Sequence, residues 1–104
     1  MNQYAIYQIP FENDKIRGIS FMSPQEIQEI SDEYEFVAAI KANNLDDVFR
    51  IGNFVYEDDA QYRAVVGQMR SISVGDIIQN IETNETVVVA MMGFEKIDGI
   101  KEAV

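Results

Sequence analysis

The sequence predicts a single small α+β domain, in which a mainly antiparallel sheet carries two or three short helices. β-prone segments stand near both ends of the chain, and two capped helix starts lie between them. The 104 residues fit one domain with one core. A composition of 47% apolar and 25% charged residues is typical of a folded chain without linkers or low-complexity segments.

The first predicted strand runs from Gln3 to Ile9, where bulky β-prone residues interleave. It ends at Pro10, because proline has no amide hydrogen to donate to a neighbouring strand. After a polar loop, Ile19 to Met22 is predicted to form a short extended segment. Aromatic residues in such strands usually belong to the core, so we expect core positions for Tyr4, Tyr7, Phe11 and Phe21.

The first predicted helix begins with a capping box at Ser23-Pro24-Gln25-Glu26. The Ser23 hydroxyl accepts from the Glu26 amide, the Glu26 carboxylate accepts from the Ser23 amide, and proline suits the first helical position. We expect the helix to continue to about Ser31. Its buried stripe is predicted to consist of Ile27 and Ile30.

A second strand is predicted from Tyr34 to Ala42, followed by a turn and helix cap at Asn43-Asn44. Asp46 and Asp47 fall in the first turn of the next helix, where the helix dipole favours acidic side chains. The helical spacing is carried by Leu45, Val48, Phe49 and Phe54. Both helices are expected on one face of the sheet.

The middle of the chain has a less regular pattern. Tyr56 to Asp59 is predicted to be an acidic loop. Gln61 to Met69 is predicted to be a helix or an irregular segment, since its apolar spacing is helical but Gly67 weakens a helix.

The C-terminal third predicts a hairpin. A turn at Ser73 to Asp76 leads into a strand at Ile77 to Ile81, and Thr83 to Glu85 connects it to a strand at Thr86 to Met92. The valines at 87–89 indicate burial on both faces of the sheet. Glu95 to Val104 is expected to close the fold as a short helix or an exposed tail.

Acidic residues are concentrated between Glu26 and Asp59, which hold ten carboxylates against two basic side chains in a chain of net charge −10. Such a surface repels nucleic acid and membranes and attracts basic protein surfaces, many of which bind nucleic acid. An alternative is that residues 57–59 form only a solvated loop. The predicted partner-binding residues are Glu33, Glu35, Asp46, Asp47, Glu57, Asp58 and Asp59.

The residue types argue against common catalytic chemistry. The chain has no histidine and no cysteine, so imidazole acid–base catalysis, thiolate metal sites and disulfides are excluded. It also has no phosphate-binding glycine loop and no Gly-x-Ser-x-Gly motif. Glu57-Asp58-Asp59 lack the ligand spacing of a calcium loop. We therefore predict no catalytic residue, cofactor or metal site. A metal-assisted carboxylate enzyme remains an alternative to a protein-binding function.

The basic residues do not predict nucleic-acid binding. Arg63 and Arg70, beside Tyr62 and Met69, are candidates for stacking on a base or for a protein interface, but two arginines are not a basic patch. The apolar run at 86–94 is shorter than the ~20 residues of a membrane-spanning helix, and residues 1–10 lack the basic start of a signal peptide. A cytoplasmic location is expected.

Three segments together resemble the YodL-like domain family of Gram-positive bacteria and their mobile elements. They are Tyr4 to Ile9 (YAIYQI), Ser71 to Ile78 (SISVGDII) and Gly93-Phe94. The chain departs from the family pattern at Gly75, where the family tends to have serine, and between Asn53 and Gly67. The resemblance implies no catalytic residues in this chain.

The resemblance implies that the gene lies in phages or conjugative elements, near genes for counter-defence proteins. In charge and size the chain is similar to small acidic anti-CRISPR proteins. The first expectation is thus a non-enzymatic inhibitor encoded by a mobile element, which binds a basic surface of a defence nuclease, most plausibly a type II CRISPR effector. The alternative is an accessory or regulatory protein-binding domain of a conjugative element or phage.

Overall fold

The computed structural model describes residues 1–101 and contains one six-stranded sheet in which all paired strands are antiparallel. Its strands are β1 (Asn2–Gln8), β2 (Glu35–Ala42), β3 (Arg63–Val65), β4 (Ile77–Asn80), β5 (Thr86–Val89) and β6 (Phe94–Ile97). Across the sheet they are arranged in the order β3-β2-β1-β4-β5-β6. Two short α-helices are present, α1 (Pro24–Glu29) and α2 (Leu45–Gly52). Short 3-10 helices span Asp14–Arg17, Ile19–Phe21, Ser31–Glu33 and Glu57–Tyr62. The predicted α+β class with a mainly antiparallel sheet is confirmed.

Strand β1 lies at the centre of the sheet because β2 and β4 pair along its two edges. Tyr4 lies opposite Ile40 on β2 and Asn80 on β4. The register with β2 shifts between Ile6 and Tyr7, which marks a bulge. This first strand therefore joins the two halves of the sheet.

Both faces of the sheet are buried. On one face, Val48 and Ile51 of α2 pack in a cluster that includes Val87. On the other face, Ile27 of α1 packs in a second cluster that includes Val88. Since adjacent strand residues point to opposite faces, the two helices lie on opposite sides of the sheet. The prediction that both helices lie on one face was wrong, whereas the burial predicted from the valine run is confirmed.

The predicted helix starts are confirmed. At α1, the Glu26 amide donates to the Ser23 hydroxyl at 3.2 Å and the Ser23 amide donates to the Glu26 carboxylate at 3.0 Å, which completes the capping box. These hydrogen bonds lower the pKa of Glu26. At α2, the Asp47 amide donates to the Asn44 side chain at 2.8 Å. Residues 30 and 31 fall just beyond the end of α1.

Three segments differ from the predictions in the first two thirds of the chain. Ile19 to Met22 pairs with no strand and is not extended. It folds into the 3-10 helix Ile19–Phe21, which buries only Ile19. The acidic loop predicted from Tyr56 is largely the 3-10 helix Glu57–Tyr62, which leads into β3. Within the segment predicted to be helical or irregular, Gln61 to Met69, Arg63–Val65 instead forms β3 by pairing with the edge of β2. Residues 66–69 are irregular, as one of the two alternatives predicted.

The last hairpin also differs from the prediction. Strand β5 ends at Val89 rather than Met92, and a turn leads back into β6. Residues 94–97 pair with β5, so the predicted helix or tail from Glu95 begins instead as an edge strand. The end of that prediction, residues 102–104, lies outside the described residues. No described helix has the length and apolar character needed to span a bilayer.

Substitution Ser23→Ala removes the acceptor of the capping box and is expected to lower the free energy of unfolding by about 1 kcal/mol. Urea titration measures the change. Ser20→Ala is the matched control, because Ser20 is exposed and lies outside α1. Equal stability of the two variants would contradict a capping role for Ser23.

Substitution Val88→Ala removes two methyl groups from a side chain that is only 3% exposed. The expected loss is about 1 to 3 kcal/mol of unfolding free energy, because the lost burial adds to the cost of a cavity. Val66→Ala is a matched control at an exposed position and should change little. A neutral Val88→Ala variant would argue that this face of β5 is not core.

Candidate functional site

The structure divides the seven predicted partner-binding residues into two groups. Glu33 and Glu35 lie at the start of β2. The other five follow the end of β2, on α2 and on the 3-10 helix before β3, namely Asp46, Asp47, Glu57, Asp58 and Asp59. Because an eight-residue strand separates its two ends by about 20 Å, the seven residues do not form one continuous patch.

Three of the seven carboxylates form ion pairs. Arg50 donates to Asp47 at 2.9 Å and to Asp59 at 3.2 Å, which ties α2 to the 3-10 helix at 57–62. Its hydrogen bond with Asp59 raises the pKa of Arg50. Lys15 donates to Glu33 at 2.9 Å, and this contact lowers the pKa of Glu33. Asp59 is only 8% exposed, so this carboxylate holds the fold together instead of facing a partner.

Four of the predicted residues remain exposed and make no ion pair within residues 1–101. We call them the open carboxylates: Glu35, Asp46, Glu57 and Asp58. Glu57 and Asp58 are adjacent on one 3-10 helix, where their charges add at short range. The strongest unpaired negative charge among the predicted residues is therefore at 57–58.

The two candidate arginines are used inside the fold. The Arg63 guanidinium lies 4.2 Å from the centre of the Phe54 ring and donates to the Ile51 carbonyl at 2.6 Å. Arg70 donates to the Ile9 carbonyl at 2.7 Å. Both guanidinium groups therefore have partners within the fold. Among the described basic residues, those that form ion pairs are Lys15, Arg50, Lys96 and Lys101.

The carboxylates are not arranged as a metal site. Among the described residues, no group of three or more acidic side chains converges in a way that could hold an ion.

A buried polar network connects the end of β1 to the turn before β4. The Gln8 amide nitrogen donates to the Asp76 carboxylate at 3.0 Å and to the Arg70 carbonyl at 2.9 Å. The Gln8 side-chain oxygen accepts from the Arg70 amide at 2.9 Å, and the Ser73 amide donates to Asp76 at 2.9 Å. One carboxylate thus fixes both a strand end and a turn.

Asp76 is only 1% exposed, and its second oxygen, Oδ1, has no hydrogen-bond partner among the described residues. Burial raises its pKa to about 6, although the hydrogen bonds from Ser73 and Gln8 act in the opposite direction. A buried carboxylate with a raised pKa is one hallmark of a general base. In this structure its hydrogen bonds hold the end of β1 to the turn before β4.

Tyr34 completes the same region. Its hydroxyl donates to the Gly75 carbonyl, and burial raises the pKa of the phenol. Gly75 has a φ of +96°, and a β-carbon there would lie 3.0 Å from the Ile19 side chain. This backbone conformation and this close packing explain a glycine at the position where the chain departs from the family pattern.

Comparison with protein-family models, with curated proteins and with solved structures finds no match to this chain. The resemblance to YodL-like domains stays a prediction.

Sequence reasoning missed an exposed apolar region. Phe11 and Phe21 are 73% and 88% exposed, so the core positions predicted for them were wrong. Tyr4 is buried as predicted, and Tyr7 is half-buried beside Phe36. Met91 and Met92 lie in the turn after β5 and are almost fully exposed. Gly93, which follows them directly, is the feature of the sequence that could have shown that the strand ends earlier.

The pKa of Asp76 predicts a pH dependence of stability. Because the folded-state pKa of about 6 exceeds the ordinary value of 3.8, the stabilisation is full below about pH 3.8 and is lost as the pH rises through about 6. Between pH 7.5 and pH 5.0 this one group should add about 1 kcal/mol to the unfolding free energy.

Asp76→Asn isolates this effect, because the amide oxygen keeps an acceptor for Gln8 and Ser73 but does not titrate. We expect the variant to lack the gain of about 1 kcal/mol that Asp76 provides on acidification, as measured by urea titration at both pH values. Identical pH dependence in the two proteins would show that burial does not shift the titration of Asp76.

Proposed function

We propose that this chain is a non-enzymatic inhibitor that binds a basic surface of a nucleic-acid-binding defence nuclease. The observation that carries the proposal is the adjacent, exposed and unpaired carboxylates Glu57 and Asp58 in a chain of net charge −10. Closely spaced negative charges compete with the phosphates of a nucleic acid for the same lysines and arginines.

The distribution of positive charge supports this proposal. Arg50 is bound to carboxylates, and Arg63 and Arg70 are bound to backbone carbonyls. Of these three groups only Arg50 is matched by carboxylates, and because two carboxylates share it, this cluster keeps a net negative charge beside residues 57–58. A partner with a positive groove would be attracted by this charge, whereas nucleic acid would be repelled.

The nuclease class is the more specific part of the proposal. The sequence resemblance and the acidic character favour an effector that must load a guide RNA, and a type II CRISPR effector is the first choice. In this mechanism the inhibitor occupies part of the positive channel that otherwise holds the guide RNA. Neither a metal nor a catalytic side chain is required.

Replacing Glu57 and Asp58 with lysine should reduce the association rate with an apo type II effector at least tenfold, because exposed charges act mainly on encounter. Asp59 is left unchanged, since its ion pair with Arg50 is structural. The control replaces Glu12 and Asp14 with lysine; both are exposed and make no ion pair among the described residues. Stopped-flow measurements at low and high salt compare the three proteins. Equal slowing by both variants would show a general effect of net charge and no defined site.

The order of addition tests competition with the guide. Added to the apo nuclease, the protein should suppress DNA cleavage strongly, and added after the guide RNA has loaded, it should suppress cleavage much less. Absence of inhibition in either order, with several type II effectors, would refute this target and favour the accessory-domain alternative.

A further inference from the structure

Five consecutive residues between α2 and β3 are exposed, and the first three of them are apolar. Phe54, Val55 and Tyr56 are 44%, 58% and 60% exposed, and Glu57 and Asp58 follow them directly. We call residues 54–58 the exposed segment. A single exposed apolar side chain is ordinary, but three in a row, two of them aromatic, form a patch of the kind that protein interfaces use.

The backbone holds the exposed segment in place at both ends. The Asn53 amide donates to the Arg50 carbonyl at 3.2 Å, which closes the end of α2. The Asp59 amide donates to the Tyr56 carbonyl at 3.2 Å, and the Asp59 carboxylate is bound to Arg50. Side chains on a fixed backbone lose less conformational entropy on binding than those on a free loop. The exposed segment therefore presents its side chains in a preorganised form.

Local folding does not require an aromatic residue at position 54. Phe54 has a φ of +58°, in the left-handed region where a bulky side chain is strained and where glycine or asparagine fits easily. One contact within the fold uses its ring, since the Arg63 guanidinium lies 4.2 Å from the ring centre. This contact shows the chemistry that an aromatic ring of the exposed segment attracts, namely a cation placed over its face.

Arginine is the side chain that matches both parts of the exposed segment. A guanidinium group stacks on an aromatic ring and donates a pair of parallel hydrogen bonds to a carboxylate. A lysine ammonium is compact and more strongly hydrated, and it has no flat face to stack. The Tyr56 ring is next in the chain to the carboxylates of Glu57 and Asp58. An arginine at this place can therefore use the ring and the charge together.

We propose that the exposed segment binds an arginine-rich segment of a partner protein and prefers it to a lysine-rich segment of equal charge. Glu57 and Asp58 supply the attraction, and the ring of Tyr56 supplies the preference for arginine. The inference rests on the proposed function in that a basic partner faces residues 57–58, but it does not depend on the partner being a nuclease. It adds the chemical group that the partner presents.

Charge selects this occupant over a second copy of the chain and over an uncharged apolar segment. A second copy also carries a net charge of −10, and its Arg50, Arg63 and Arg70 are bound within its own fold. An uncharged segment would cover Glu57 and Asp58 without pairing them, which costs free energy. An arginine-rich segment contacts the apolar side chains and pairs the carboxylates.

The test uses the full chain, labelled with ¹⁵N, and three peptides of about seven residues, or about 23 Å when extended. The first peptide has arginine at every second position and serine between. The second has lysine in place of arginine. The third has citrulline, which keeps the shape of arginine without its charge. Amide chemical shifts at low and high salt give the site and the dissociation constant of each peptide.

We expect the arginine peptide to bind about two to five times more tightly than the lysine peptide, because an exposed contact between a ring and a cation is weak. Its largest shifts should fall at residues 55–58, and the citrulline peptide should not bind measurably. In Tyr56→Ser the two charged peptides should bind equally, whereas Tyr56→Phe keeps the ring and should keep the preference. Phe21→Ser, which alters an exposed aromatic residue outside the exposed segment, is the control and should also keep it.

The outcomes separate this inference from the proposed function. Equal binding of the arginine and lysine peptides would overturn the inference and leave the charge attraction of the proposed function standing, while no binding of either peptide would contradict both. A preference for arginine that survives in Tyr56→Ser, or shifts centred outside residues 54–58, would also overturn the inference. A dimer, seen by sedimentation, that Tyr56→Ser dissociates would make a second copy the occupant instead.

Discussion

The hydrogen bond between Gln8 and Asp76 is the contact on which the arrangement of the sheet depends. Gln8 ends the central strand, and Asp76 immediately precedes β4, which pairs with that strand. The same two side chains bind the backbone of Arg70 and Ser73, and so hold a segment that has no regular secondary structure. Keeping a carboxylate ionised in this buried place costs free energy, and the neutral form avoids part of that cost.

Both faces of the sheet are covered because the central strands, which this contact aligns, carry apolar residues on both faces. Ile77 and Val88 face α1, while Ile78 and Val87 face α2. A sheet with apolar residues on both faces needs cover on both sides, and six- and eight-residue helices are each too short to cover more than part of one face. The 3-10 helix that buries Ile19 adds to the cover beside α1.

The sequence predicted the elements whose signals are local. The capping box at Ser23 and the cap at Asn44 depend on residues three positions apart, and the alternation of Gln3 to Ile9 is visible within one strand. Strand β3 was missed, because three residues become a strand only through pairing with β2. The sides occupied by the helices were missed for a related reason. The valine run required cover on both faces, but nothing local to either helix indicates which face it covers.

The candidate site shows the same limit. The sequence shows that most of the negative charge lies between residues 26 and 59, but only tertiary structure shows that Arg50 pairs with both Asp47 and Asp59, and that Glu57 and Asp58 make no ion pair within residues 1–101. The exposed Phe21 was assigned to the core because its sequence neighbours suggested a strand, and exposure is a property of the whole fold. The ion pairs do not change the net charge of −10, but they fix where the excess carboxylates stand on the surface.

The open carboxylates and the hollow lined by Phe49 and Phe94 would act on a partner in different ways, and Asp46 belongs to both. Exposed carboxylates act over about 8 Å at physiological ionic strength, so they chiefly raise the rate of encounter with a basic partner. Apolar contacts act only after water is excluded, so an apolar hollow would chiefly lower the rate of dissociation. Asp46 is one of the open carboxylates and also lines the concavity beside Phe49 and Phe94. A basic partner attracted by the acidic start of α2 would therefore meet an apolar hollow beside the same carboxylate, where a longer-lived contact could form.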